Sequence, residues 1–318
     1  MTSLKNKFAG KDILSLDQFD LESLQTLFKT AETIATKVKK GHIFNQLKGK
    51  VITLLFFEPS TRTFGSFASA VKRLGGETIE NQNPMVTSSA IKGETLEDTT
   101  RVFECYSDMI IMRHFQAGAA KLVADTVAVP VINGGDGPAE HPTQALYDMF
   151  TIYQKFGRLD GLTGVITGDL LYGRTVHSLL KGLSMYKKNT FYLLAPKQLP
   201  LSADLTKILK ERGVSLIPIK SVSEIPKNAD FWYWTRVQKE RFTKGENYKK
   251  MKDQFTLTPE LLEQRGNKNM IIMHPLPRVG EIDPRLDSDN RAVYLPVQVR
   301  NGMYIRMALL ALVFGKKI

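Results

Sequence analysis

Val51-Ile52-Thr53-Leu54-Leu55-Phe56-Phe57 runs without a break into Glu58-Pro59-Ser60-Thr61-Arg62-Thr63. The first seven residues are apolar, β-branched or aromatic over a strand's length. The run ends at a proline and a cluster of hydroxyls, so the stretch predicts a buried strand feeding a turn. Phe64, Phe67, Ala68, Val71 and Leu74 then recur at helical spacing, and Gly75-Gly76 supplies a stop. Ser60 to Thr63 therefore fall at a helix start, where backbone N–H groups have no intrahelical acceptor. Those donors, the helix dipole and the Arg62 guanidinium together favour a phosphate or carboxylate. An ordinary capped helix with a solvated arginine fits these residues equally well.

Composition bounds the rest. The 318 residues are 42% hydrophobic and 24% charged, which suits a soluble globular chain of two domains at ~150 residues each. No apolar run reaches the ~20 residues of a membrane span, and Met1 to Lys11 lacks the apolar centre of a secretory signal, so a cytoplasmic enzyme is expected. Cys105 is the only cysteine, and the five histidines form no His-x-x-x-His pair; neither a metal nor another cofactor is expected. The formal charge of +12 is spread over short groups such as Lys37 to Lys40 and Lys187-Lys188. That distribution reads as solvated surface rather than a nucleic-acid footprint, and a positive molecule draws in anionic small substrates.

Strand-like runs alternate with helical patterns along the whole chain, which predicts α/β architecture with parallel sheets. After a helical opening at Leu14 to Ala35, strands are predicted at 51–57, 109–112 and 127–132. A second set follows at 165–167, 191–194, 214–219, 231–234 and 270–273. Helices are predicted from Pro142 to Tyr153 and from Met303 to Phe314.

Polar motifs stand just beyond the strand ends, where open α/β sheets bind ligands. Arg113-His114 follow the Met109 strand. Pro142 suits a first helical position, which puts His141 beside the cap and Gln144 one turn in. Gly168 to Thr175 nearly match the phosphate-binding pattern G-x-x-x-x-G-K-[ST], but Arg174 replaces the lysine. A guanidinium forks onto a carboxylate or phosphate, so Arg174 reads as a carboxylate clamp and not as part of an NTPase. The chain has no G-x-G-x-x-G, which argues against a dinucleotide site. Arg236 follows the Phe231 strand. His274-Pro275-Leu276-Pro277 follows the Met270 strand, and its prolines predict an extended turn with outward carbonyls.

Taken together, Phe57 to Thr63, Arg113-His114, His141-Pro142-Thr143-Gln144, Gly173-Arg174-Thr175, Thr235 to Arg241 and His274 to Arg278 resemble the aspartate/ornithine carbamoyltransferase family, in order and over essentially the whole chain. The second-half motifs resemble its aspartate branch. The ornithine branch has His-Cys-Leu-Pro where this chain has His274-Pro275-Leu276-Pro277, and ornithine's amine would be repelled by Arg236.

The resemblance implies two doubly wound parallel-sheet domains with the active site between them. Residues 1–142, completed by 303–318, would bind carbamoyl phosphate, and residues 143–302 would bind aspartate. It assigns the phosphate to Ser60, Thr61, Arg62, Thr63 and Arg113, and the carbamoyl oxygen to Thr63, Arg113 and His141. The carbamoyl NH2 would go to Gln144 and the carbonyls of Pro275 and Leu276. Arg174, with Thr175, would hold the α-carboxylate of aspartate, and Arg236, supported by Gln238, its side-chain carboxylate. Ser88 and Lys92 would enter a neighbouring active site, which implies a homotrimer and leaves room for separate regulatory chains. No nucleic-acid or membrane partner is implied.

Overall fold

In the computed structural model, residues 7–84, 93–137, 139–237 and 255–318 are described. Ser88, Lys92 and Gln238 lie outside them. The chain divides into two units, Met1–Phe150 with Asn301–Ile318, and Thr151–Arg300.

The first unit is built on β1 (Val51–Phe56), β2 (Glu77–Gln82), β3 (Met109–His114) and β4 (Val131–Asp136). They form one parallel sheet in the order β2-β1-β3-β4. Around it stand α1 (Leu21–Lys39), α2 (Thr61–Arg73), α3 (Leu96–Glu104), α4 (Ala119–Thr126) and the start of α5 (Pro142–Phe156). α1 starts at Leu21 and not at Leu14, because Asp20 caps it: the Asp20 carboxylate accepts from Ser23 N at 2.8 Å.

The second unit carries β5 (Thr163–Thr167), β6 (Thr190–Leu194), β7 (Ser215–Ile219), β8 (Phe231–Trp234) and β9 (Ile271–Met273), parallel in the order β7-β6-β5-β8-β9. Its helices include α6 (Arg174–Leu183), α7 (Ala203–Glu211) and α8 (Pro259–Arg265); α9 (Val299–Val313) then leads back to the first unit. Trp232 and Trp234 are fully buried in the second unit's core, with ring centroids 5.9 Å apart. Two parallel-sheet α/β domains are thus present, as the alternation of strand and helix patterns requires.

Strand order fixes where ligands can sit. In the first sheet the chain winds from β1 outward to β2, then crosses to β3 on the other side, so the switch point lies between the carboxyl ends of β1 and β3. In the second sheet it winds β5-β6-β7 and returns to β8, placing the switch between β5 and β8. Ser60–Thr63 follow β1, and Arg113 lies at the carboxyl end of β3, which runs two residues further than the sequence pattern predicted. Gly168–Thr175 and Thr235-Arg236 follow the second pair of strands.

Some expectations need correction. The strand read at 127–132 forms at Val131–Asp136, because Val127 ends α4 and Pro130 has no N–H to give a ladder. Leu276 does not adopt an extended conformation: its φ is 54°, and the Leu276–Pro277 peptide is cis.

Close approach at the second switch point demands glycine. Gly168 has φ 113°, and a Cβ there would lie 2.3 Å from the Thr235 carbonyl oxygen. Thr235 in turn donates its hydroxyl to the Thr167 carbonyl at 2.7 Å. Gly168→Ala should therefore lower stability to urea by about 2 kcal/mol or more. An unchanged unfolding midpoint would contradict this packing.

Candidate active site

At the first switch point, Phe57 N donates to the Arg113 carbonyl at 2.8 Å, which holds the loop after β1 against the end of β3. α2 begins at Thr61 with Ser60 in the cap position, φ −157° and ψ 93°. Among the described residues, the Ser60 hydroxyl makes no cap hydrogen bond. The helix start is thus not satisfied in the ordinary way, and its N–H groups and dipole are available to an anion. Thr61 and Arg62 are exposed, whereas Thr63 is buried.

Thr63 Oγ1 lies 3.2 Å from His141 Nε2, so residues 78 apart in sequence meet at one point. Arg113 is brought to the same place by Gly135. That glycine has φ 120°, and a Cβ on it would sit 3.0 Å from Arg113 Nη1 and 3.4 Å from His141 Cδ2. The buried Arg113 guanidinium donates to the Gly134 carbonyl at 3.3 Å and pairs with the Glu58 carboxylate at 2.6 Å. This guanidinium is therefore already paired with an anionic oxygen beside the helix start. Such a charge-assisted contact suits a phosphate equally.

The loop that delivers His141 is tied down by hydrogen bonds to two carboxylates, Asp136 and Glu140. Asp136 Oδ1 accepts from Asn133 Nδ2 at 3.1 Å and from Glu140 N at 3.2 Å, and its Oδ2 accepts from Gly118 N at 3.1 Å. Glu140 directs its carboxylate to Leu16 N at 3.1 Å. One turn into α5, buried Gln144 donates its Nε2 to both oxygens of Asp148, each at 3.1 Å.

In the second unit, Gly168 to Gly173 fold into a tight loop before α6. Asp169 Oδ1 accepts from Leu171 N and Tyr172 N at 3.2 and 2.9 Å. His177 Nε2 lies 2.8 Å from the Leu170 carbonyl, so that nitrogen carries the proton, and burial lowers the ring's pKa. Arg174 is the first residue of α6, after a Gly173 cap, and is half-buried with Thr175. Arg236, also half-buried, stands just past β8 at the same switch point. Two guanidiniums beyond adjacent strands suit a small dicarboxylate.

The turn after β9 depends on a buried imidazole. Leu276 N donates to His274 Nδ1 at 2.8 Å, so Nδ1 is the unprotonated nitrogen, and Nε2–H donates to Glu281 Oε1 at 2.7 Å. Glu281 Oε2 accepts from Val279 N at 2.8 Å. Arg278 is pinned to Asp287 and lies over the Tyr294 ring, so it supports the turn. Pro275 and Leu276 remain half-buried.

The sequence matches two family profiles: "Aspartate/ornithine carbamoyltransferase, carbamoyl-P binding domain" over residues 11–154, and "Aspartate/ornithine carbamoyltransferase, Asp/Orn binding domain" over residues 160–313. The chain belongs to the aspartate/ornithine carbamoyltransferase family. Among carbamoyltransferase relatives, it is 42% identical over 309 residues to the aspartate carbamoyltransferase catalytic subunit of Hyperthermus butylicus, covering 97% of this chain and 98% of that one. It is 45% identical over 310 residues to the multifunctional protein pyr1-3 of Dictyostelium discoideum; this covers 98% of this chain but spans only 14% of that protein. Its fold superposes with a TM-score of 0.88 on Trypanosoma cruzi aspartate transcarbamoylase in complex with carbamoyl phosphate and aspartate, at 37% identity, with 97% of this chain and 98% of that one covered. Among the described residues, no group of His, Cys, Asp or Glu could hold a metal ion. No described helix is long and apolar enough to cross a membrane.

The motifs that carry this carbamoyltransferase resemblance omit several residues that build the site. Glu58 lies inside the Phe57–Thr63 motif, but its residue type alone assigns it no role, and Gly135 and Asp148 belong to no motif. Asp148 is legible in retrospect as the i+4 partner of Gln144 on a helix.

Glu281 supplies a pH test of the turn after β9. Burial pushes its pKa up, but the hydrogen bonds from His274 and Val279 N outweigh this and leave it below the usual carboxylate value of 4.5. A lowered carboxylate contributes stability above the unfolded-state pKa and loses it as pH falls through the folded-state value. Glu281→Gln should cost about 1 to 3 kcal/mol at pH 7. The gap between the two proteins should narrow in urea titrations below pH 4.5. A gap independent of pH would contradict the assignment.

Proposed function

We propose that this chain transfers the carbamoyl group of carbamoyl phosphate to the amino group of L-aspartate, giving N-carbamoyl-L-aspartate and phosphate, an early step of pyrimidine biosynthesis. The observation that carries the reading is the Thr63–His141 contact beside an uncapped helix start and Arg113. Phosphate would take the N–H groups and side chains of Ser60, Thr61, Arg62 and Thr63, together with Arg113. Several charge-assisted hydrogen bonds, each about 1.5 to 3 kcal/mol, suffice for micromolar binding after association costs.

Thr63, Arg113 and His141 then face the carbamoyl oxygen. The neutral amine of aspartate attacks the carbamoyl carbon, and charge develops on that oxygen in a tetrahedral intermediate that the three donors stabilise. The carbon–oxygen bond to phosphate breaks as the new carbon–nitrogen bond is retained, and the departing phosphate takes the amine proton. Gln144 and the carbonyls of Pro275 and Leu276 receive the carbamoyl NH2. Arg174, with Thr175, and Arg236, with Gln238, anchor the two carboxylates of aspartate, and proximity supplies much of the rate.

A homotrimer with Ser88 and Lys92 reaching a neighbouring site, with or without separate regulatory chains, completes the proposal; specific activity should then fall as the protein is diluted. The cytoplasm is the proposed location, although a pea relative is chloroplastic by name.

The deciding assay supplies the purified chain with carbamoyl phosphate and either L-aspartate or L-ornithine. Carbamoylation of aspartate alone is expected; transfer only to ornithine, or to neither, overturns the reading. His141→Ala should lower kcat about 10²-fold or more. Arg236→Ala should raise KM for aspartate about 10²-fold through loss of a charged hydrogen bond pair, with carbamoyl phosphate binding nearly unchanged. Unaltered kinetics in either variant would remove that residue from its role.

A further inference from the structure

Gln144 poses a problem that its position alone does not solve. A glutamine amide has an acceptor end and a donor end of almost the same shape, and only the oxygen can receive the NH2 of a carbamoyl group. Presented the other way round, the amide would set N–H against N–H. Something must hold the oxygen outward.

The neighbour at helical spacing is Asp148, fully buried on α5, and Gln144 Nε2 lies 3.1 Å from each of its oxygens. An ionised carboxylate only accepts, so it draws the amide N–H to itself and leaves the amide oxygen pointing elsewhere. A hydrogen bond also links the Gln144 side chain to Tyr147. The charge on Asp148 has a buried counterpart. Arg306 of α9 is 3% exposed, interacts electrostatically with Asp148, and stays protonated at neutral pH although burial brings its pKa down to about 10. Its guanidinium donates to Ser66 Oγ at 2.8 Å and Thr143 Oγ1 at 3.2 Å, and lies over the rings of Phe67 and Tyr147 at 4.8 and 5.4 Å.

We propose that Asp148 is a positioning residue: by taking the Gln144 N–H it fixes the amide oxygen toward the carbamoyl NH2, and so lets the site tell carbamoyl phosphate from inorganic phosphate. This rests on the function proposed above. Asp148 touches no reacting atom and acts only through Gln144. The preference it creates depends on the order of donor and acceptor along the chain Asp148, Gln144, ligand.

That order can be inverted without changing size or summed charge. In Asp148→Asn, the new side chain offers Gln144 an amide of its own, and the orientation is no longer imposed. In the double variant Asp148→Asn/Gln144→Glu, the introduced amide donates to the introduced carboxylate, and a carboxylate oxygen again faces the ligand. The measurement is the ratio of the dissociation constants of inorganic phosphate and carbamoyl phosphate, by calorimetry on the full chain, for wild type and both variants. Asp148→Asn should reduce this ratio about tenfold, the worth of one hydrogen bond turned into a clash, with phosphate binding changed less than about twofold. The exchanged pair should recover most of the ratio, even though its carboxylate weakens both anions.

Equal loss for both ligands in Asp148→Asn would reduce Asp148 to a structural residue and overturn the inference. So would an exchanged pair that folds but shows no recovery, and this arm stands alone if Asp148→Asn fails to fold. A wild-type chain with no preference for carbamoyl phosphate would instead defeat the proposed function itself.

Discussion

The Arg306 guanidinium, buried where three helices of the first unit meet, ties Ser66 on α2 to Thr143 on α5. Desolvating a guanidinium is costly unless every side of it is answered. Here two hydroxyls, two aromatic faces and the nearby Asp148 charge answer most of it, and only the guanidinium Nε has no hydrogen-bond partner among the described residues. The consequence reaches the site because α2 starts at the Ser60–Thr63 turn and α5 starts just after His141. A tie near the start of each helix fixes the distance between their first turns, and with it the 3.2 Å contact of Thr63 and His141. Asn301–Ile318 counts with the first unit for this reason as well as for its apolar packing.

Parallel sheet topology supplies the second constraint. Each sheet winds one way and then reverses, and each reversal leaves a crevice at the carboxyl ends of two neighbouring strands. In the first unit the crevice offers an uncapped helix start and Arg113, which is chemistry for a phosphate. In the second it offers Arg174 and Arg236, which is chemistry for two carboxylates. Rigid side-chain positions come from small local devices: Gly135 admits Arg113 beside His141, Gly168 admits Thr235, and the Asp136 carboxylate gathers the loop before α5. None of these devices touches a ligand in the proposed reaction, yet Gly135 and Asp136 set the place of Arg113 and His141, which do.

Much of this was legible in the sequence. The Val51–Phe57 run and the helical spacing after it announced a strand and a helix, and β1 and α2 form there because the apolar residues face a core that buries them almost completely. The polar motifs after the strands were legible because chemistry at a ligand site leaves unusual residue types in short order. Other parts were hidden for physical reasons. β2, Glu-Thr-Ile-Glu-Asn-Gln, pairs with β1 alone at the sheet edge and is half-exposed, so it has no apolar run to betray it. β4 contains Gly134 and Gly135, poor strand formers kept for close approach, and the apolar residues just upstream drew the expected strand toward α4. Asp148 and Arg306 look like ordinary charged residues on helices; only three-dimensional packing shows that both are buried and what each one holds.

The central proposal is that carbamoyl phosphate binds at the Ser60–Thr63 helix start with Arg113. A crystal structure of this chain with carbamoyl phosphate measures that directly. The account predicts phosphate oxygens on the backbone N–H groups of the α2 start and on Arg62 and Arg113, with the carbamoyl oxygen within hydrogen-bond distance of Thr63 and His141. Carbamoyl phosphate bound elsewhere, with the α2 start and Arg113 untouched, would contradict it.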